Sequence, residues 1–551
     1  MAFNPVLDVN PESIRTVNPS AWPQYPYDEV PRTPEQSPVR YAIYAETDQR
    51  LPLRDGIRLA YDVFRPHASG ERFPALVAVS PYTRQLQRTL TPIGQNEAGL
   101  TEFWVPRGYA HVIVDVRGTN DSEGEWDMFG SEEQADVVEV IEHIASQPWC
   151  NGRVGMTGCS YFARSQNFAA AMHAPSLAAT FPYDANTDLY RDAFYHGGIP
   201  SEGFQRIWAS DVIFLNYWGG RRKTVRGFEQ HFQTVIGGFK PFDCDYYRER
   251  SVWPRLGQIQ TPSYFGCDWR FVDLHLRGAF DAFTGTGEIP KRALLGPLPQ
   301  PRRPFANYHM EALRWYDAWL KDMDTRVLEG PPIRIFVQGD DCWRGETEWP
   351  LARTRWTECF LSTNDGGGVL EDTAPSDGAL TYRVDPTDVS WIRGEPRLIF
   401  RSAPLEQNLE VTGPVKLTLW ATSAADDTDW LVWLCDEYPD GGRDLLTKGW
   451  LRASHRAVDS IRSKPWQPWH PHTEDRLQPV KPDVPTEYEI EVLPTCNVFK
   501  QGHRLRLEIA SCDTMHTGGL WYNRCLPIPT QNTVLTGRSH PSRLLLPVIP
   551  K

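Results

Sequence analysis

No apolar stretch of the 551-residue chain reaches the ~18 residues that a membrane-crossing helix needs, and no run of five basic residues occurs. The net charge is −13, from 57 basic and 70 acidic residues. An acidic chain without a basic patch argues against nucleic acid and against anionic membrane as partners. The ten cysteines (150, 159, 244, 267, 342, 359, 435, 496, 512 and 525) include no C-x-x-C pair, so neither a zinc knuckle nor a thioredoxin-type site is indicated. They read as mostly free, buried thiols of a reducing compartment. The first twenty residues, MAFNPVLDVNPESIRTVNPS, lack the charged and apolar regions of a secretory signal, and a cytoplasmic location is the expectation. H-E-x-x-H, G-x-G-x-x-G and P-loop patterns are absent too, so neither a metal nor another cofactor is expected.

What is present is a globular composition, with 40% hydrophobic and 23% charged residues, in a chain long enough for two to four domains. Aromatics reach 12%, with 21 Trp, which suits large β-rich packing surfaces or an aromatic-lined pocket. Residues 1–38 are rich in Pro, Asn and Ser and read as an irregular arm. RLPLRDGIRLAYDVFRP (50–66) alternates around Asp55-Gly56, a hairpin signal. PALVAVSPY (74–82) and AHVIVDVRG (110–118) read as buried strands of a mostly parallel sheet. SEEQADVVEVIEHIASQP (131–148) has helical periodicity with Ser131 as the expected N-cap. Continued alternation predicts an α/β core over 39–184 and 256–350. The aromatic, helix-prone stretch 185–255 interrupts it and predicts a helical cap. From 351 to 551, short alternating runs such as VKLTLWAT and HRLRLEIAS, separated by turns, predict an all-β sandwich of the jelly-roll kind.

VGMTGCSYFARSQNFAAA (154–171) places Ser160 between a β-rich run and a small-residue helix. That is how a nucleophile elbow presents a serine: the turn is crowded, small residues flank it, and the helix N-terminus lies ready for an oxyanion. The second glycine of the common G-x-S-x-G pattern is replaced by Phe162, and the small residue comes one later, at Ala163. Cys159 beside it is expected to fill space in the turn.

G-C-S-Y-F-A resembles the elbow of the cocaine esterase / Xaa-Pro dipeptidyl-peptidase / α-amino-acid ester hydrolase family. SPYTR (80–84), VIVDVRGTNDSEGEW (112–126), and LRWYDAWLKDMDT (313–325) followed by PPIRIFVQGDDCWR (331–344) are similar to further family segments in the same order. The resemblance implies an α/β-hydrolase core with a helical cap insertion and a C-terminal jelly-roll domain, the active site lying where the three meet. By the same resemblance Ser160 is the nucleophile. Tyr82 and the Tyr161 backbone amide are the oxyanion donors. Asp268 is the acid, with Asp273 as runner-up.

The family's histidine falls in a loop resembling G-P-W-x-H. Here that loop reads Gly296-Pro297-Leu298-Pro299-Gln300, and glutamine is no base near neutral pH. His309, at the start of the next helix, is the first candidate for a displaced base, and His516 and His275 are the others. The cap aromatics Phe194, Tyr195, Trp208, Phe214, Tyr217 and Trp218 suggest an apolar substrate group, or else pack the cap on the core. The expectation is a serine hydrolase acting through an acyl-enzyme on a small, partly apolar ester or amide, disfavouring anionic substrates mildly through its overall charge. Two alternatives stay open: a non-hydrolytic enzyme on the same fold (cyclisation, rearrangement or acyl transfer), and a catalytically dead binding protein. Homo-oligomerisation is compatible with all three.

Overall fold

The computed structural model describes residues 6–7, 36–87, 97–219, 240–297, 305–364, 367–385, 396–513 and 521–550, with the side chains at 6–7, 211, 213–219 and 305–307 set aside. Among these residues two large sheets organise the chain.

The first sheet has eleven strands. Phe73–Ser80, Ala110–Asp115, Cys150–Met156, Leu177–Thr180, Ser263–Asp268, Lys291–Gly296 and Ile333–Val337 form its parallel centre. Phe73–Ser80 and Ala110–Asp115 are buried at every position, as strands covered on both faces must be. The Asp55-Gly56 hairpin forms as the pattern predicts, pairing Ile43–Pro52 with Arg58–Pro66 antiparallel. Gly56 supplies the left-handed φ of 84° that its turn needs. The N-terminal arm is not wholly irregular, because Val6 and Leu7 add a short antiparallel edge to Tyr44 and Ile43.

Helix Ser131–Ala145 starts one residue earlier than expected. Gly130 is its N-cap and Ser131 is its first helical residue. A Cβ at Gly130 would lie 2.2 Å from Asp127 Oδ2, so the tight approach of that carboxylate selects glycine. The helix after Ser160, Tyr161–Ala171, is buried along its whole length, which is why its residues are mostly small or uncharged.

The insertion is only partly helical. It opens with a π-helical turn at Leu189–Phe194, continues in a two-strand ribbon (Tyr195–His196 with Ile199–Pro200), and then forms the cap helix Glu202–Gly219. Two further short helices, Asp245–Glu249 and Trp253–Gln258, return the chain to the sheet. Asp188 explains the entry: its carboxylate accepts the amides of Tyr190 and Arg191 and starts the turn.

The second sheet also has eleven strands and begins at Arg355. Strand Leu409–Ser423 pairs with Thr486–Phe499 and also with Arg543–Ile549, which closes the sheet on itself and removes edges there. This β-rich domain has its own apolar core around Leu417, Val432 and Ile490. Other strands turn side chains outward into the first domain's core: Leu431, Trp433, Trp450 and Leu493 belong to the same apolar cluster as Tyr82 and Phe162. The two domains therefore share part of one apolar cluster.

Candidate active site

Ser160 follows strand Cys150–Met156 and caps helix Tyr161–Ala171 with φ 58° and ψ −116°. A left-handed serine is strained by about 1–3 kcal/mol and persists only where its surroundings fix it. Here they do. The Ser160 amide donates to the Tyr183 carbonyl at 3.1 Å, and the Cys159 amide to the Glu97 carbonyl at 3.1 Å. Gly158 has φ +110°, and a Cβ there would meet Phe162 at 2.5 Å. Cys159 is fully buried, filling the turn. Phe162, standing where the common pattern has glycine, packs against the ring of Tyr82.

The amides around the elbow differ in what they bond. Those of Ser160 and Phe162 are taken by the carbonyls of Tyr183 and Cys159. The Tyr161 amide, first in the helix, has no protein acceptor among the described residues and carries the partial positive charge of the helix terminus. Tyr82 lines the same cleft. Its hydroxyl oxygen accepts a hydrogen bond from Trp208 Nε1 of the cap helix at 2.7 Å, which turns the phenolic proton elsewhere and polarises it.

Tyr82 is held from below by a buried charge network. Arg84, fully buried, donates to Asp115 at 2.7 Å, Asp62 at 2.5 Å and Asp121 at 2.9 Å. Asn120 donates to the Pro81 carbonyl and to Asp115. Burial pushes the Asp115 carboxyl up to about 7 against the pull of Arg84. In the next turn Arg117 grips Asp136 with two bonds of 2.6 and 2.7 Å. The two sequence motifs thus lock the Tyr82 loop to the sheet and to helix Ser131–Ala145.

The structure brings Ser160, Tyr82, Tyr161 and His275 to one cleft, together with Arg164 and Trp208. His275 is buried immediately before helix Leu276–Gly285, its ring 5.5 Å from that of Phe271. His309 does not line that cleft. It sits on helix Phe305–Lys321 with its ring 4.2 Å from Phe103. Asp268 closes its strand and is buried, and Tyr183 donates to its Oδ1 at 2.6 Å. Since the Tyr183 carbonyl also receives the Ser160 amide, Asp268 reaches the elbow through Tyr183. Asp273 is engaged by Lys448 of the β-rich domain at 2.7 and 3.0 Å. Gln300 and His516 lie outside the described residues.

Of the cap aromatics, Phe194 and Trp208 line the cleft. Tyr195 instead stacks on Tyr190, 4.8 Å between ring centroids. The side chains of Phe214, Tyr217 and Trp218 lie outside the described residues. Among the described residues, no three His, Cys, Asp or Glu side chains are grouped to hold a metal ion, and no helix is long and apolar enough to cross a membrane.

Comparison with known proteins now bears on this geometry. Residues 55–248 match the family described as X-Pro dipeptidyl-peptidase (S15 family). Residues 325–545 match the X-Pro dipeptidyl-peptidase C-terminal non-catalytic domain. The chain belongs to the cocaine esterase and X-Pro dipeptidyl-peptidase family. It is 29% identical to the cocaine esterase of Rhodococcus sp. (strain MB1 Bresler) over 91% of this chain and 97% of that protein. It is 28% identical to a putative serine esterase of Mycobacterium bovis over 96% and 98%. A CocE/NonD family hydrolase from Staphylococcus aureus shares the fold with a TM-score of 0.80 at 23% identity, covering 97% of this chain and all of that one. An α-amino acid ester hydrolase does so at 0.73 and 17% identity, covering 96% and 100%.

Like its relatives in this family, the protein is a serine hydrolase on an α/β-hydrolase core with a β-rich C-terminal domain. Two features of this member's cleft escaped sequence reasoning. The Trp208–Tyr82 contact joins residues 126 positions apart, which no local pattern reveals. Arg164, by contrast, left a signal: it is the one charged residue in YFARSQNFAAA, a helix of otherwise small, aromatic or neutral residues.

Proposed function

We propose that the protein hydrolyses an ester or amide of a small, partly apolar molecule through an acyl-enzyme on Ser160, with His275 as the displaced general base. His275 takes the Ser160 hydroxyl proton as Oγ attacks the substrate carbonyl. The oxyanion that forms is met by the Tyr161 amide and the Tyr82 hydroxyl, and losing one such donor costs about 2.7–4 kcal/mol of barrier. As the carbon–oxygen or carbon–nitrogen bond breaks, His275 returns its proton to the leaving group. Water then attacks the acyl-enzyme, giving its proton to His275, and the acid leaves as Ser160 is restored.

The observation that carries this reading is that a strained, positive-φ serine, Ser160, lines one cleft with His275 and Tyr82. His309, against Phe103 and outside that cleft lining, is the competing base. Asp268 acts as a positioning residue on Tyr183.

The experiment is fluorophosphonate labelling followed by peptide mass spectrometry, run on wild type, Ser160→Ala, His275→Ala and His309→Ala. Fast labelling at Ser160, slowed at least about 10³-fold in His275→Ala and little changed in His309→Ala, is the expected result. Slowing in His309→Ala alone moves the base to His309. Folded wild-type protein that fails to label overturns the acyl-enzyme and favours non-hydrolytic chemistry, recognised by products of unchanged mass.

A further inference from the structure

Arg164 is a buried cation in the Ser160 cleft that the proposed chemistry does not use. It stands one helical turn after the nucleophile, its amide bonded to the Ser160 carbonyl at 3.0 Å. The side chain is 7% exposed and lines the cleft. Its guanidinium carbon lies over the Phe129 ring, 3.8 Å from the centroid. Nη2 donates to the Arg250 carbonyl at 2.7 Å, and among the described residues Nε and Nη1 have no hydrogen-bond acceptor.

Every other deeply buried arginine described around this site has a carboxylate against it. Arg84 has Asp62 and Asp115, and Arg191 has Asp188 and Asp243. Arg164 has none within ion-pair distance among the described residues. Glu133 and Asp192 act on it only from further away, and burial raises the carboxyls of both well above the usual carboxylate range. Burying a charge is costly unless it is paired, and an arginine fork with open N–H groups suits a carboxylate better than any neutral group.

We infer that Arg164 is a specificity residue of the Ser160 site and that the preferred substrates are esters or amides carrying a carboxylate, which binds the open edge of its guanidinium. This rests on the hydrolase reading above. It reverses the expectation from net charge: charges on the outer surface are screened beyond roughly 8–10 Å, whereas Arg164 meets the ligand directly, in a cleft walled by Phe129, Trp208 and Phe194.

Two matched ester pairs test it on the full-length protein. In 4-acetoxybenzoate against 4-acetoxybenzamide the charge sits on the alcohol side. In p-nitrophenyl hemiadipate against p-nitrophenyl heptanoate it sits on the acyl side. In wild type at least one pair shows a kcat/KM preference of about 10- to 100-fold for the carboxylate, the worth of a charge-assisted hydrogen bond. Arg164→Gln abolishes that preference, lowering kcat/KM for the carboxylate ester more than for its neutral partner, mainly through KM. Arg164→Lys, which keeps the charge without the fork, retains part of it and serves if the glutamine variant does not fold. No preference in wild type, or an undiminished one in Arg164→Gln, overturns the inference. If no ester is turned over, calorimetric titration of wild type and Arg164→Gln with adipate and with hexanamide decides it. Adipate binding lost in the variant sustains the anion site, and equal binding of both compounds sinks it. Failure of Ser160 to label with fluorophosphonate speaks against the hydrolase reading instead, because it does not bear on the titration.

Discussion

At the residue scale, the decisive feature is how the carboxylate of Asp268 is occupied. A triad aspartate fixes the tautomer of its histidine, and replacing it with asparagine lowers kcat by about 10⁴ although the geometry survives. Asp268 also receives the hydroxyl of Tyr183, whose carbonyl anchors the Ser160 amide. Asparagine still offers a carbonyl oxygen to that hydroxyl, and alanine offers nothing. Asp268→Asn is therefore expected to keep kcat within about tenfold of wild type, while Asp268→Ala loses about 1–3 kcal/mol of stability as the buried phenol is left unsatisfied. Steady-state kinetics and urea unfolding of the two variants check this. A loss near 10⁴ in Asp268→Asn would make Asp268 the acid that orients the catalytic histidine. Gly296 adds to the crowding here, since a Cβ on it would come within 2.7 Å of Asp268 Oδ1 and 2.3 Å of the Tyr308 hydroxyl.

At the scale of elements, helix Ser131–Ala145 carries a buried acid against helix Tyr161–Ala171. Glu133 accepts the Tyr161 hydroxyl at 2.7 Å and Trp126 Nε1 at 3.2 Å. Burial raises its carboxyl from 4.5 to about 8, the hydrogen bonds from Tyr161 and the Phe129 backbone opposing the shift. The folded state then holds a proton that the unfolded chain has released, so stability is highest below pH 4.5 on this account and falls as pH rises from about 4.5 to about 8. Glu133→Gln, neutral at every pH, is expected to flatten that slope and to be more stable than wild type at pH 9. Urea unfolding at pH 5, 7 and 9 reads both effects, and parallel pH dependences of the two proteins would refute them.

Elements of this kind were legible in the sequence because their signals are local. Strand PALVAVSPY, the Asp55-Gly56 hairpin and the small-residue helix after Ser160 each declare themselves within a dozen residues. Side-chain partnerships were not legible. That Asp273 faces Lys448, that Tyr183 spans from Asp268 to Ser160, and that His275 and not His309 lines the cleft all depend on contacts between residues far apart in the chain. The π-helical turn at Leu189–Phe194 escaped for a different reason: Asp188 capping and the buried Arg191–Asp243 pair hold a geometry that helical periodicity does not encode.

At the scale of the whole molecule, the β-rich domain grips the segment that carries His275. Arg270 donates to the Leu445 carbonyl and to Asp444, the latter at 3.0 Å. Asp273 meets Lys448, and Arg277 meets Glu491 at 2.8 Å. Two of these ion pairs thus stand two residues before and two residues after His275, and both reach strands of the C-terminal domain. Lys448 and Asp273 are almost fully buried, so Lys448→Met alone strands a charge and is expected to cost about 3–5 kcal/mol. Removing both charges, in Asp273→Asn with Lys448→Met, avoids that penalty and separates stability from positioning. If the clamp sets the place of His275, the double variant folds with near wild-type stability yet labels Ser160 more slowly, with a shifted pH midpoint. Lys416→Met, which breaks an ion pair with Glu489 elsewhere in the same domain, changes neither. Labelling rates from pH 5.5 to 8.5, beside urea unfolding, make the comparison. A double variant that labels at the wild-type rate and midpoint would leave the clamp a contribution to stability alone, and the β-rich domain no part in holding the base.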